Sequence, residues 1–375
     1  MAASVLTSGE GIAVEWLASL DGLPAHERAA LDAPHIALFD SLAWTADFSA
    51  TALADGAAPV WLSVRSADAA LLLPLQRERR AVGPLRVATL GALANYYTMR
   101  WQPLALRRQH ACGPAAVDEP LWQAAAAALA RSGAALARLA PLAAEAAWVE
   151  PLARALARQG CTLRREPAFG NWVAHVAGAR FDDWFERRPA ALRNTWRRRS
   201  RQLERRARVA FELHGAPTGQ GPAAPARALD DAIAAYESVY ARSWKEPEPH
   251  AAFIPTLMRR AAARGALRLG LLFADDAPIA AQLWLRDGAA TVIYKLAYDQ
   301  GWKAYSPGLA LSVEMFRHAI DVDRVALVDY GSGDDAYKRD WMDERLERVA
   351  LTAYCRRHPV GALLAWRQRL RRERA

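Results

Sequence analysis

The chain has 375 residues, enough for two globular domains of ordinary size. Apolar residues make up 53% of it and charged residues 24%, which excludes a disordered protein and predicts a packed core. The formal charge of +9 favours anionic partners such as phosphorylated cofactors, RNA and membrane surfaces, without choosing between them.

Residue spacing argues against a metal site, a disulfide framework and a membrane span. Cys112, Cys161 and Cys355 stand far apart, and no two of the eight histidines fall at ligand spacing on one helix. The first residues lack the pattern of a signal peptide, and the most apolar stretch, residues 87–99, contains Asn95 and is too short to span a bilayer. We therefore expect a cytoplasmic protein, with surface contact to a membrane left open.

The first 170 residues predict an α/β arrangement. Turn residues separate three strand-like stretches, and an alanine-rich helix follows at residues 120–131. A further strand leads into a helix that ends at Gly160, a residue suited to the left-handed position after a helix. The three strands are predicted at residues 60–65, 70–78 and 86–90.

A second α/β pattern begins at residue 171 and contains the strongest charge block. Residues 187–208 hold ten arginines against one acid, with apolar residues along one face of a helix. This basic helix is a solvated surface, a binder of a phosphorylated donor or acceptor, or a docking patch for RNA or anionic lipid. In the last case the contacts would be Arg197, Arg198, Arg199 and Arg201.

A meander follows the basic helix, after a Pro/Gly-rich loop at residues 215–226 and two further helices. Residues 267–299 predict three strands, with Asp287-Gly288 as a hairpin turn. The elements predicted after it are a helix at 306–320, a strand at 325–331, a short helix at 335–341 and a strand at 347–354.

The start of the helix at Ser306-Pro307-Gly308 is a candidate anion site. Serine at the N-cap would satisfy one orphan amide, proline at N1 needs no partner, and glycine lets a ligand approach the backbone. Free amides and the positive helix end favour a phosphate, to which Lys303 would add charge. The alternative interpretation is an ordinary capped helix.

These motifs together resemble a known family. Tyr305-Ser-Pro-Gly308-Leu-Ala310 looks like a degenerate pyrophosphate loop of GNAT acetyltransferases, with Tyr305 where that family usually has Gln or Arg. RNTWRRRSRQLER, SWK, YKLAYD and DYGSGDDAYKRDW resemble the CelD-like acetyltransferases, which are similar to the Fem aminoacyltransferases with their two GNAT-like halves. The resemblance is specific over residues 181–354, and in the first half it rests on FDSLAWTADF at residues 39–48.

The resemblance implies a fold and a domain division. The fold is α/β (α+β), with two GNAT-like domains, each a mixed, mostly antiparallel sheet flanked by helices. Residues 1–170 would form an N-terminal domain on the acceptor side, residues 171–358 the acyltransferase domain, and residues 359–375 a basic C-terminal helix.

The implied function is acyl transfer from acetyl-CoA or another acyl-CoA to an amine or hydroxyl, in polysaccharide or cell-envelope biosynthesis. Two alternatives stay open. One is a Fem-like transferase that uses aminoacyl-tRNA, and the other is an inactive basic adaptor that binds nucleic acid or an anionic membrane. The acceptor would be a small molecule, a saccharide or an amine, and no metal is expected.

A thioester is already activated, so such an enzyme needs positioned reactants, proton transfer and oxyanion stabilisation instead of a fixed nucleophile. We assign the acyl-CoA to Lys303, Tyr305, Ser306, Pro307, Gly308, Leu309 and Ala310. Tyr330 or Tyr337 would protonate the leaving thiolate and Asp329 would position the acceptor or act as base. As structural alternatives, Asp329 caps a helix and Tyr337 packs in the core.

Substrate contacts are assigned mainly to the scarce lysines and their neighbours. Tyr294 and Lys295 alternate along their strand, so only one of them can face the cleft. The structural alternatives are solvated charge for the lysines and packing for Trp244. The assigned residues are Trp244, Lys245, Tyr294, Lys295, Gly331, Lys338 and Arg197.

Overall fold

The computed structural model describes residues 6–8, 11–82, 84–215 and 228–372, so the predicted loop at 215–226 lies outside the described residues except for Gly215. The chain divides into two compact units. One contains residues 1–170 and 346–375, and the other contains residues 171–345. Residues 348–354 belong to the first unit, where they pair with residues 136–143.

The strands and helices alternate along both units. In chain order the strands are β1 (Leu6–Ser8), β2 (Ile12–Leu17), β3 (Ala58–Arg65), β4 (Ala69–Val82), β5 (Leu85–Ala92), β6 (Leu104–Arg107), β7 (His110–Cys112), β8 (Leu136–Ala143), β9 (Thr162–His175), β10 (Val209–His214), β11 (Leu267–Ala274), β12 (Ala277–Asp287), β13 (Ala290–Tyr298), β14 (Leu327–Ser332) and β15 (Glu344–Tyr354). The α-helices are α1 (Ala25–Leu31), α2 (Leu42–Thr51), α3 (Glu119–Ala130), α4 (Val149–Arg158), α5 (Phe181–Glu186), α6 (Ala190–Arg206), α7 (Leu229–Ala241), α8 (Phe253–Ala263), α9 (Pro307–Arg317) and α10 (Pro359–Arg372).

The sheet of the first unit is antiparallel except at one pair. Its strand order is β1-β2-β3-β4-β5-β8-β15, and only β5 and β8 in this order run parallel. The chain passes through β6, β7 and α3 before it returns as β8, because a parallel strand needs a crossover connection. α3 and α4 cover the apolar face of this sheet through Trp122, Leu129, Leu152 and Leu156.

The second unit repeats this arrangement. Strands β10, β11, β12 and β13 form an antiparallel meander, α9 crosses over, and β14 returns parallel to β13 with the last part of β9 as its other neighbour. β11 is buried along its whole length. The predicted fold class, a mixed and mostly antiparallel sheet flanked by helices in each half, is confirmed.

Aromatic rings fix α9 against the rest of the second unit. The Phe316 ring packs against two indoles, with centroid distances of 4.9 Å to Trp184 of α5 and 4.7 Å to Trp341, and the indoles lie 6.4 Å from each other. Each ring of this stack buries a large apolar area and holds its neighbours in one relative orientation. The opposite end of α9, at Pro307, is thereby held at a defined place beside the sheet.

A buried ion pair joins β11 to the segment that follows α9 in the same unit. The Arg268 guanidinium donates to both oxygens of Asp323, at 2.8 and 2.7 Å, and the two side chains are only 2% and 3% exposed. Burial alone would raise the pKa of Asp323, but the contacts with His318 and Arg268 outweigh it and lower the pKa. Since the folded-state pKa is depressed, this carboxylate stabilises the fold above its unfolded pKa, and that contribution is lost as the pH falls through the folded value.

We predict that Asp323→Asn lowers the free energy of unfolding by about 3–5 kcal/mol, because it leaves the Arg268 charge buried without its anion. Urea unfolding near neutral pH measures this. The control is Asp276→Asn, which removes a bidentate pair with Arg208 on the exposed surface and should change stability little. Equal effects of the two substitutions would contradict the role of burial.

Candidate active site

The candidate site is a cleft that opens where β13 and β14 stop pairing. Their parallel register covers only residues 290–292 and 327–329, although β13 continues to Tyr298 and β14 to Ser332. The cleft has a volume of about 480 Å³, which lies within the range of small-molecule sites. Its walls come from both strands, from the start of α9 and from α6, through Leu192, Trp244, Gln282, Leu296, Ala297, Tyr298, Lys303, Ser306, Gly308, Leu309, Ser312, Tyr330, Tyr337 and Trp341.

The start of α9 lies in this cleft, and its geometry corrects one expectation. Ser306 is the N-cap and Pro307 is at N1 as predicted, but the Ser306 side chain makes no capping hydrogen bond to a described residue. The reason is its left-handed backbone, with φ 53° and ψ 52°, because a capping serine needs an extended conformation. Left-handed serine is strained, and such strain is concentrated at functional sites.

The predicted acyl-CoA residues divide into two groups. Lys303, Ser306, Gly308 and Leu309 line the cleft. Tyr305, Pro307 and Ala310 are not among the lining residues: the Tyr305 ring packs 5.7 Å from that of Trp302, Pro307 is buried, and Ala310 packs against the core.

A side chain at Gly308 would press against the Tyr298 ring, because a Cβ atom there would lie 3.1 Å from it. The backbone N–H of Ser306 donates to the Lys303 carbonyl, and those of Leu309 and Ala310 donate to the Ser306 carbonyl. The Gly308 N–H has no described partner, and together with the positive helix end it favours an anion.

Gln282 holds this helix start to the sheet, and we did not predict its role. Its side-chain amide donates to the Gly308 carbonyl at 3.0 Å and to the Ser312 hydroxyl at 2.8 Å. Its carbonyl oxygen accepts from the Trp284 indole at 2.9 Å. The sequence does contain a signal for this role. Gln282 is a single amide within the apolar strand IAAQLWLR, and a buried polar group needs hydrogen-bond partners.

Tyr330 and Tyr337, the two alternative proton donors of the sequence analysis, meet at the wall of the cleft. Their ring centroids are 5.7 Å apart, edge to face, and their side chains share a hydrogen bond. Tyr337 is 46% exposed; its partial burial, followed by the charge of Asp335, raises its pKa to about 12. Burial and the proximity of Tyr337 raise the pKa of Tyr330 well above its usual value. Both hydroxyls therefore carry their protons near neutral pH.

Asp329, Gly331 and Lys338 lie behind this wall and are not among the lining residues. One Asp329 oxygen accepts from the Asn171 amide at 2.9 Å and from the Gly331 backbone N–H at 2.7 Å. The buried Lys338 ammonium donates to the carbonyls of Ser332 and Gly333 at 2.6 and 3.2 Å. This geometry favours a role in holding the loop that carries Tyr330 and Tyr337.

Trp244 lines the cleft, and its ring lies 4.5 Å from that of Tyr298. Lys245 lies beside it but lines a second cavity. Arg197 of α6 is exposed and paired with Glu186 at 2.8 Å, so from this helix Leu192, and not Arg197, lines the cleft.

Neither Tyr294 nor Lys295 is among the residues that line the cleft, although one of them was expected to face it. Tyr294 is buried, and Lys295 donates to Glu248 at 2.6 Å. A bulge explains the difference: Leu283 pairs with Lys295 but Trp284 pairs with Ile293, so Tyr294 is an extra residue that breaks the simple alternation.

No helix among the described residues is long and apolar enough to cross a bilayer. No group of three or more His, Cys, Asp or Glu side chains in this part of the chain is arranged to hold a metal ion.

Comparison with known proteins bears on the segment that contains this site. Residues 190–339 match the family model of the acetyltransferase (GNAT) domain, and this segment contains the start of α9 and both tyrosines. No protein of curated function gives a significant match. The segment is therefore similar to a GNAT acetyltransferase domain, which supports an acyltransferase activity.

Two solved structures resemble the chain in fold. The crystal structure of FemX aligns with a TM-score of 0.54 and 9% identity over 86% of this chain and 97% of that chain. A conserved protein of unknown function from Bacteroides thetaiotaomicron VPI-5482 aligns with a TM-score of 0.52 and 8% identity, covering 90% of this chain and 99% of that chain. At such low identity these likenesses show the fold alone.

We predict that Ser306→Gly raises the free energy of unfolding by about 1 kcal/mol, because glycine adopts the left-handed conformation without steric cost. Denaturant unfolding measures the change. Arg324→Gly is the matched control, since Arg324 is also left-handed, with φ 49°, and does not line the cleft. A loss of stability in Ser306→Gly would contradict the strained backbone.

Proposed function

We propose that the chain is a CelD-like GNAT enzyme that transfers an acetyl or longer acyl group from acyl-CoA to an amine or hydroxyl. We further propose that the acceptor belongs to polysaccharide or other cell-envelope material. The observation that carries the proposal is that the start of α9 and the Tyr330–Tyr337 pair open into one cleft. An anion seat and proton donors are thus available to the same ligand.

The start of α9 is suited to bind the phosphates of the acyl-CoA donor. α9 has 11 residues and begins at the cleft, the Gly308 N–H of its first turn has no described partner, and Lys303 adds a cation. The apolar wall formed by Leu296, Ala297 and Leu309 suits the uncharged part of such a ligand. Tyr305 at the family's usual Gln or Arg position does not weaken this seat, because its ring packs on Trp302 outside the lining.

The residues of the cleft supply positioning and proton transfer. Acyl-CoA, when bound, supplies an acyl group already activated as a thioester, so no protein nucleophile is needed. The Tyr337 hydroxyl remains protonated near neutral pH and can give its proton to a departing thiolate. The acceptor loses one proton when its nitrogen or oxygen gains the acyl group, and that proton restores Tyr337, so the products are the acylated acceptor and free CoA thiol.

A second candidate is an aminoacyl-tRNA donor, for which the exposed arginines of α6 are the supporting observation. Arg198 and Arg201 are exposed on the helix whose Leu192 lines the cleft. Arginine neutralises nucleic-acid phosphates, and the fold likeness includes FemX. The two donors differ in a direct way, because only the tRNA-dependent activity would be lost after ribonuclease treatment.

We predict saturable binding of acetyl-CoA or a longer acyl-CoA in calorimetric titration, and its loss in Gly308→Trp, because the indole would fill the phosphate seat. Gly113→Trp in the first unit is the control, since open space surrounds its Cβ position. No binding by the wild-type protein would overturn the acyl-CoA proposal and leave the aminoacyl-tRNA transferase and the inactive adaptor.

We also predict that Tyr337→Phe lowers kcat by about 100-fold or more while acyl-CoA binding persists, because the variant lacks the proton donor. Release of free CoA thiol with a panel of amine and hydroxyl acceptors measures the rate. In the wild type, ionisation of this hydroxyl should not reduce the rate until the pH approaches its pKa of about 12. Tyr305→Phe is the control, and equal rates in the Tyr337 variant and the wild type would exclude the role.

A further inference from the structure

Two elements of the first unit expose large apolar side chains. Leu85 at the start of β5 is 54% exposed, and Leu363 and Trp366 of α10 are 53% and 58% exposed. A single exposed apolar residue is ordinary, whereas a group of them marks an interaction surface. The three side chains form such a group only if the two elements lie at the same place in the fold.

The strand register places the β4–β5 turn and α10 at one end of the sheet. Leu136, the first residue of β8, pairs with Thr89 of the parallel strand β5 and with Tyr354 of the antiparallel strand β15. The residues before Thr89 and those after Tyr354 therefore extend beyond β8 in the same direction. The former include Leu85 and the turn, and the latter lead into α10.

Backbone hydrogen bonds connect the two sides at this end. The Ala135 N–H donates to the Ala88 carbonyl at 2.9 Å, and the Ala135 carbonyl accepts from the Cys355 N–H at 3.0 Å. β8 is thus the single strand between β5 and β15. Since neighbouring strands are about 5 Å apart, about 10 Å separates β5 from β15 here.

Small residues hold α10 close to the end of the sheet and turn its large side chains outward. A Cβ atom at Gly361 would overlap the Cys355 carbonyl oxygen, so the helix backbone contacts the residue that follows β15. Ala365, one turn further on, is 2% exposed. Because these small residues share the buried face, Leu363 and Trp366 lie on the opposite face of the helix.

Both segments are basic. Residues 356–372 contain six arginines and residues 79–86 contain three, and neither segment contains an acidic residue. We call these two segments together the basic end. Among the acids next to them in the sequence, Glu78 pairs with Arg80 at 2.6 Å, and Glu373 follows α10. The exposed arginines of the basic end include Arg79, Arg86, Arg356, Arg357, Arg367 and Arg369.

We propose that the basic end binds the surface of an anionic lipid bilayer. Arginines attract acidic headgroups, and the exposed leucines and the indole enter the boundary between headgroups and acyl chains. A helix that carries leucine and tryptophan beside arginine on its outer face suits this boundary, where indole rings are favoured. The proposal concerns the first unit alone and is independent of the donor cleft in the second.

Two other partners fit the basic end less well. Nucleic acid is also polyanionic, but it binds by charge and by stacking on aromatic rings, and it offers no apolar environment to Leu85 and Leu363. A second copy of the same surface would bring like charges together, which opposes association. A bilayer combines negative charge with an apolar interior, so it matches both properties of the surface.

Co-sedimentation of the full-length protein with lipid vesicles tests the proposal. The probes are vesicles of phosphatidylcholine alone and vesicles in which about a third of the lipid is phosphatidylglycerol. We expect saturable binding that is about tenfold or more tighter with the anionic vesicles. Salt should weaken it, because the Debye length falls from about 10 Å at 0.1 M to about 3 Å at 1 M.

Variants of exposed residues separate charge from apolar insertion. Arg367→Glu combined with Arg369→Glu should weaken binding to the anionic vesicles about tenfold or more. Leu363→Ser combined with Trp366→Ser should weaken it to a similar degree, because the apolar contact is lost. Leu85→Ser tests the contribution of the β4–β5 turn separately and should weaken binding severalfold.

Each pair of substitutions has a matched control. Arg198→Glu combined with Arg201→Glu makes the same change of charge on exposed positions of α6, in the second unit. Tyr96→Ser removes a side chain that is 51% exposed and follows the opposite end of β5. Neither control should change vesicle binding more than about twofold, because these positions lie outside the basic end.

The outcomes are distinct. Binding to anionic vesicles that both α10 variants lose and both controls retain supports the proposal. Equal binding to the two kinds of vesicle, or an equal loss in the α6 control, overturns it. Binding of an RNA oligonucleotide without vesicle binding, or a dimer that the Leu363 and Trp366 variant dissociates, also overturns it. No acyl-CoA is present, so either result leaves the donor proposal to its own test.

Discussion

The cleft depends on the early end of pairing between β13 and β14. The two strands share a parallel register for three residue pairs and then separate, and their backbone groups must find other partners. β13 continues beside β12 to Tyr298, whereas β14 turns at Gly331 into a loop held by Asp329 and Lys338. The first turn of α9 lies at the gap between them. Because the two strands separate there, the first turn of α9 and the side chains of Tyr330 and Tyr337 border the same cleft.

Ser306 costs stability unless a ligand compensates, because it has a left-handed backbone. The buried Arg268–Asp323 pair shows the opposite case, since each charge has its counter-ion and two hydrogen bonds join them. Where polar groups are paired, structure alone explains them. Where the backbone is strained, a binding role explains it better.

Local patterns were sufficient to predict the meander, the helix start at Ser306-Pro307 and the glycine at its first turn. They failed where distant residues decide the geometry. Asp329 is held by Asn171, a partner 158 positions away, and its place at the end of a strand does not reveal this contact. A bulge at Tyr294 removed it and Lys295 from the cleft, and strand periodicity does not reveal a bulge. The cavity at Lys245 exists only because α7 and α8 pack together, which no local motif encodes.

Trp244 and Tyr298 connect the start of α9 to the segment after α7. The Trp244 ring lies 4.5 Å from that of Tyr298, and Tyr298 lies 3.1 Å from the Cβ position of Gly308. Packed side chains move together, because protein interiors contain few voids. A change at either ring therefore alters the wall beside the proposed donor site.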